Sequence, residues 1–300
     1  MTDQVCDTLN AGAPRIIAHR GASGYRPEHS REAFALAFAQ GAEAVEPDVL
    51  PSRDGVLMVR HDIDLAPTTD IAQRPEFVSR ARCIRGKRQW WIGDFDAHEI
   101  EMLRCVQPIP ARAHSGAVGS NVLRLSALLE MAETAQVVVD IELKDTDYFR
   151  ALGVDPVRLL ESELREAGAL GASAPVWLEC FDLGVLRELH ARCGNRSFAL
   201  IESMPDVAQL RELARWASGV APPKKCLWDA KGNPTHLVAE AHAAGLEVHA
   251  WTFRDDGDCT PFATPRAELE AAFALGVDAL FCDFPDTALA ARAQFRPGRD

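Results

Sequence analysis

The sequence predicts an α/β fold, a (β/α)8 TIM barrel with an insertion subdomain, on three observations. Strand-like apolar segments begin near residues 16, 45, 138, 176, 197, 219, 247 and 278, eight in all, and most are separated by segments of helical periodicity. Chemistry-bearing residues stand at the ends of several of them (His19, Glu46, Glu142, Trp251, Asp283), which is where barrel sites are assembled. Finally, 300 residues with 47% hydrophobic content can build one large core, so a single domain over residues 1–300 is expected. A doubly wound open sheet is the competing architecture.

Residues 1–14 are polar and mixed and end in Gly12, Ala13 and Pro14, an irregular lead-in. Ile16 and Ile17 then deliver His19 and Arg20 to a strand end, where Gly21 and Gly24 open a turn able to approach a ligand closely. Ser30 is placed to cap a helix whose Ala33, Phe34, Ala37 and Phe38 form one apolar stripe ending near Gly41. Strands follow over 45–50 and 56–60. The residues between them are too few for a parallel crossover, which takes about a dozen, so the pair reads as an antiparallel hairpin turning near Asp54-Gly55. That turn sets Asp48 and His61 nearly level.

From 62 to 121 the periodicity is poor, and prolines and the Trp90-Trp91 pair interrupt it. A stretch this long inside a domain is functional or a small subdomain, and it is expected as an insertion over the mouth of the site. The tryptophan pair either packs that insertion onto the barrel or meets a lipid-like substrate. Alternation then resumes: helix 122–134, strand 137–144, helix 155–167, strand 176–181, helix 183–192, strand 197–202, helix 205–216, a short strand 218–222, helix 234–244, strand 247–253, helix 265–275, strand 277–282 and helix 286–294.

Composition narrows the function. A formal charge of −12 argues against a nucleic-acid partner, which normally requires a basic face, while leaving room for a local basic site. No stretch approaches the roughly 20 apolar residues of a membrane helix. The N-terminal run MTDQVCDTLNAGAPR has neither the basic nor the apolar region of an export signal. A cytoplasmic rather than periplasmic location is therefore expected. The eight scattered cysteines, without a CxxC pair, fit reduced thiols.

Glu46 and Asp48 stand two apart, so on one strand they face the same side, and two inward carboxylates must be neutralised. With Glu142 at the end of another inner strand they form a candidate cage for one divalent cation; ion pairing with Arg20 or Lys144 is the alternative. All-oxygen ligation favours Ca²⁺ or Mg²⁺ over zinc. Phe181 and Trp251, at late strand ends, form either an apolar wall of the site or ordinary barrel filling.

Several ordered motifs extend this pattern along the chain: His19-Arg20-Gly21, Pro27-Glu28, Glu46-Pro47-Asp48, Asp54-Gly55, His61-Asp62, Thr68-Thr69-Asp70, Glu142-Leu143-Lys144, Cys180-Phe181-Asp182 and Asp283-Phe284-Pro285. In these motifs the sequence resembles the glycerophosphodiester phosphodiesterase family. With His29 after Glu28, and with ECFD and HAWTFR later, it looks closest to the branch that includes periplasmic glycerophosphodiesterases. The resemblance implies the barrel fold and a metal-dependent phosphoric diester hydrolase that converts a small glycerophosphodiester into glycerol 3-phosphate and an alcohol.

It further implies His19 and His61 as the general acid/base pair, residues whose chemistry suits proton transfer near neutral pH. Arg20 and Lys144 would hold the phosphate, Glu28 would hold Arg20 or a substrate hydroxyl, and His29 would support its neighbours. A lysophospholipase D-type hydrolase of lipid phosphodiesters and a catalytically inactive binding protein are the rival readings. The second would be expected had His19, His61, Glu46 or Glu142 been replaced, and all four are present.

Overall fold

The computed structural model describes residues 13–112 and 118–296; the lead-in through Gly12, with Cys6, and His114 lie outside the described residues. The chain opens with β1 (Arg15–His19), α1 (Arg31–Gln40), β2 (Ala44–Glu46), β3 (Asp48–Pro51) and β4 (Leu57–Val59). An excursion follows with β5 (Arg82–Ile84), β6 (Lys87–Gln89), α2 (Ala97–Ile100), β7 (Arg104–Val106) and β8 (Val118–Asn121). Next come α3 (Leu125–Ala135), β9 (Val138–Leu143), α4 (Thr146–Ala151), α5 (Pro156–Glu166), β10 (Val176–Cys180), α6 (Leu183–Cys193), β11 (Arg196–Leu200) and α7 (Val207–Leu213). The chain finishes with β12 (Gly219–Ala221), α8 (Leu237–Ala244), β13 (Glu247–Phe253), α9 (Pro265–Leu275), β14 (Ala279–Cys282) and α10 (Pro285–Gln294).

Eight parallel strands run β1-β2-β9-β10-β11-β12-β13-β14, and β14 returns to β1. The ring is closed, as a (β/α)8 barrel requires, and the open-sheet alternative falls. Local chemistry sets the element ends. Ser30 Oγ accepts from the Ala33 N–H at the start of α1, and Gly41, at φ 90°, ends that helix in the left-handed region. Among the described residues no helix is long and apolar enough to cross a membrane.

The strand expected over 45–50 is two. Pro47 has no N–H to give a ladder, so pairing breaks there and β3 continues beside β9, with Asp48 opposite Glu142. β3 and β4 form the expected antiparallel hairpin, Leu50 opposite Met58. Its register places Arg60 rather than His61 across from Asp48, the Arg60 N–H donating to the Asp48 carbonyl at 2.9 Å. His61 therefore lies one residue past level. Helix α4 has no counterpart among the elements expected from sequence, because six residues are too few to show a helical period.

Three apolar layers hold these elements. Ile17, Ala44, Trp177, Phe198, Ala221 and Phe281 fill the barrel bore. A larger shell joins the strands to the surrounding helices. A third core, around Leu65, Phe77, Trp90, Phe95 and Leu103, packs the excursion onto Leu50 and Met58 of the hairpin and Phe149 of α4. Trp90 is 2% exposed and its Nε1 donates to the Phe77 carbonyl at 2.7 Å, so of its two readings it is a packing residue. The excursion is bolted back onto the loop after β1 by Gln107, whose Nε2 reaches the carbonyls of Ser23 and Arg26 at 3.0 and 3.1 Å.

Candidate active site

The loop after β1 turns on two left-handed residues, Arg20 at φ 58° and Gly21 at φ 81°. A Cβ on Gly21 would stand 2.7 Å from the Ala33 backbone, so only glycine lets the turn lie against α1. The Arg20 N–H is held by the Glu46 carbonyl at 2.8 Å and by Glu46 Oε2 at 3.0 Å. Its guanidinium then points across the strand ends, 3.2 Å from Glu28 Oε1 and 3.3 Å from Asp48 Oδ2. Glu28 thus holds Arg20, one of the two partners the sequence offered it.

Glu46, Asp48 and Glu142 converge as expected despite the break at Pro47. Each offers a carboxylate oxygen, and these oxygens lie within 4.8 Å of one another. Lys144 Nζ lies 2.8 Å from Glu142 Oε1 and 3.5 Å from Asp48 Oδ1. Burial opposes the Asp48 charge, but Arg20 and Lys144 override it and keep the carboxylate well below its usual range. Burial and the Asp48 charge instead push Glu46 well up, and Glu142 up to about 8. The two cations therefore neutralise only part of the cluster. Both oxygens of fully buried Asp48 have these cations at ion-pair distance, but neither accepts a well-formed hydrogen bond from the described residues. Buried carboxylate oxygens left with unused accepting capacity, gathered in an all-oxygen set, fit a hard divalent cation.

The two histidines approach this cluster from separate strands, and each is fixed at Nδ1. His19 Nδ1 lies 2.7 Å from Asp283 Oδ1, and His61 Nδ1 lies 2.7 Å from Asp62 Oδ1. A carboxylate at Nδ1 favours the tautomer of a neutral ring with its proton there and leaves the Nε2 lone pair available. Burial and the Arg20 charge lower the pKa of His19, with Asp283 opposing them.

His29 is fully buried, and burial lowers its pKa to about 4. The neutral ring accepts the Asp48 N–H at Nε2, 3.1 Å away, so it supports the cage from behind. Phe181 and Trp251 meet edge to face at 5.8 Å, and Trp251 Nε1 is tied to the Ala221 carbonyl at 2.8 Å. Phe181 is 39% exposed with Lys144 Nζ 5.8 Å from its ring, whereas Trp251 is partly buried and packs against the bore cluster.

Sequence reasoning missed three features. Asp283 was visible at a strand end, but not its pairing with His19 across 264 positions. Arg112 and Arg254 both reach Asp283 Oδ2, and no motif surrounds Arg112. Inside the bore, Asp140 and Glu179 are buried carboxylates that lack some of their hydrogen-bond partners. Burial raises both, Asp140 to about 8 and Glu179 well above its usual range. Glu179 stands opposite Glu142 on the neighbouring strand, and strand alternation was the signal that would have found it.

Comparison with known proteins bears on this geometry. A family model described as the glycerophosphoryl diester phosphodiesterase family matches residues 19–287. A glycerophosphodiester phosphodiesterase of Arabidopsis thaliana is 27% identical over 316 residues, covering 92% of this chain and 85% of the relative. One from Haemophilus influenzae is 25% identical over 324 residues, covering 91% and 88%. Among solved structures, a putative glycerophosphoryl diester phosphodiesterase of Silicibacter pomeroyi superposes with a TM-score of 0.73 at 22% identity, covering 95% of this chain and 94% of its own. A phosphodiesterase of Oleispira antarctica, solved in complex with the product sn-glycerol-3-phosphate, gives 0.71 at 21%, covering 94% and 98%. At these identities the two superpositions establish the fold.

Proposed function

The chain belongs to the glycerophosphoryl diester phosphodiesterase family and is a phosphoric diester hydrolase, and from that premise we propose that it cleaves small glycerophosphodiesters by histidine acid/base catalysis beside one divalent cation. The observation that carries the reading is the convergence of Glu46, Asp48 and Glu142 within 4.8 Å, with Asp48 close enough to feel both His61 and His19 electrostatically. The structural likeness to a phosphodiesterase solved with glycerol 3-phosphate supports the substrate class.

Glu46, Asp48 and Glu142 would hold the cation, Ca²⁺ or Mg²⁺, which would supply Lewis acidity there when bound. Arg20 and Lys144 turn their charge toward the phosphate, and the Phe181–Trp251 pair takes the glycerol backbone. One histidine removes the proton of the glycerol 2-hydroxyl as its oxygen bonds to phosphorus. The other gives a proton to the departing alcohol oxygen as its bond to phosphorus breaks. Water then opens the cyclic phosphate to glycerol 3-phosphate, with the histidines exchanging roles.

The test is hydrolysis of glycerophosphocholine before and after removal of metal. Activity is expected to vanish with the cation and return with Ca²⁺ or Mg²⁺, and Glu46→Gln is expected to weaken both cation binding and turnover. Undiminished hydrolysis by demonstrably metal-free enzyme would refute the cation's role.

Cation binding should also depend on pH. Glu142 is raised from an ordinary 4.5 to about 8, so its protonated form is the favoured one in the folded, metal-free chain. Its stabilising contribution is complete below the ordinary value and is lost as pH climbs through about 8. A cation must displace that proton, so affinity is expected to rise across the same window while the metal-free fold weakens. Calorimetric titration with Mg²⁺ at several pH values measures this, and a flat affinity would contradict it.

A further inference from the structure

We infer that Asp283 and Arg112 act as a two-residue device that positions His19, the arginine being supplied by the excursion rather than by the barrel. This rests on the reading of His19 as a proton-transfer group. Asp283 is 3% exposed and presents one oxygen to each side. Its Oδ1 takes His19 Nδ1 at 2.7 Å. Its Oδ2 accepts from Arg112 Nη2, and Arg254 Nε lies 3.2 Å away.

A carboxylate held only by His19 could rotate or slide. One pinned at its second oxygen by a buried guanidinium fork cannot, and so fixes both the plane and the tautomer of the imidazole. Arg112 is itself over-determined: its side chain is 2% exposed, Nη1 donates to the Ser23 carbonyl at 2.8 Å, and Nε donates to Asp256 Oδ2 at 2.9 Å. Ser23 Oγ in turn donates to the carbonyl of His19 at 2.9 Å. Arg112 therefore reaches His19 twice, through the ring by way of Asp283 and through the backbone by way of Ser23. A lysine, whose three donors share one nitrogen, could not span three acceptors that the guanidinium reaches from three separate nitrogens. The excursion, on this account, is a buttress of the reacting centre.

The experiment is kinetic, on the full chain with saturating cation. Asp283→Asn keeps the shape and the contact to Arg112 but lets the imidazole take the wrong tautomer. It is expected to lower kcat about 10²-fold with KM, cation affinity and melting temperature near parental. In the double variant with His19→Ala, the Asp283→Asn change should add almost nothing, because a residue acting through His19 has no target once the ring is gone. Arg112→Ala should lose part of kcat, and added guanidinium ion should restore some of it; Arg112→Lys should fall between.

His19→Ala at low kcat with Asp283→Asn at parental kcat would overturn the inference, as would full additivity of the two changes. His19→Ala at parental kcat would overturn the acid/base reading and this inference with it. Loss in Arg112→Ala that tracks a lower melting temperature and ignores guanidinium ion would make Arg112 a structural residue only and overturn its share.

Discussion

His19→Ala and His61→Ala are each expected to lower kcat by about 10²–10⁴-fold while KM stays within a small factor of parental. The split follows from when the groups act. Proton transfer is needed only as bonds to phosphorus form and break, whereas in the proposed mechanism binding energy would come from Arg20, Lys144 and the cation. Both rings lie at strand ends with Nδ1 committed to a carboxylate, so truncation removes a working nitrogen without emptying a packed layer. Steady-state kinetics on glycerophosphocholine reads both parameters, and circular dichroism confirms the fold. A parental kcat in either variant would strip that histidine of its role.

A substrate lacking the 2-hydroxyl is expected to be almost inert. The matched catalytic motifs at His19, Glu46, His61 and Glu142 contain no serine, threonine or cysteine, so the proposed mechanism assigns the attacking oxygen to the substrate. A neighbouring hydroxyl enjoys an effective concentration of about 10⁵–10⁸ M over a free reactant. Losing it should cost at least about 10³-fold even if water can substitute. Head groups such as choline, ethanolamine or glycerol leave as the alcohol and should be exchanged at modest penalty. Matched 2-hydroxy and 2-deoxy glycerophosphodiesters, compared under saturating Mg²⁺, decide the point. Equal kcat would mean that water attacks directly.

The sequence disclosed what is local and periodic. Ser30 and Gly41 bound α1 because a cap and a left-handed stop are side-chain chemistry within a few residues, and Glu46, Asp48 and Glu142 could be placed because strands alternate faces. What escaped is of two kinds. Pro47 splits its strand through a single missing N–H, a break that hydrophobic patterning does not register. The Asp283 and Arg112 contacts to the site span most of the chain, and nothing in spacing reports which distant arginine meets which carboxylate. Arg112 lies in the stretch whose periodicity was poorest, so the least legible segment contributed a side chain that reaches the site.

The pairing of β1 with β14 has a consequence for the newborn chain. Until the last strand has been made, β1 and whichever strand was formed most recently are unpaired edges, open to pairing with a neighbouring chain. With His19 and Asp283 264 positions apart, translation at roughly 5–20 residues per second leaves that interval at roughly 13–50 seconds. Throughout it His19 has no carboxylate behind it. Ring closure and the pairing of His19 with Asp283 thus arrive in the same late step, and any premature stop before β14 leaves both an open sheet edge and a His19 without its carboxylate.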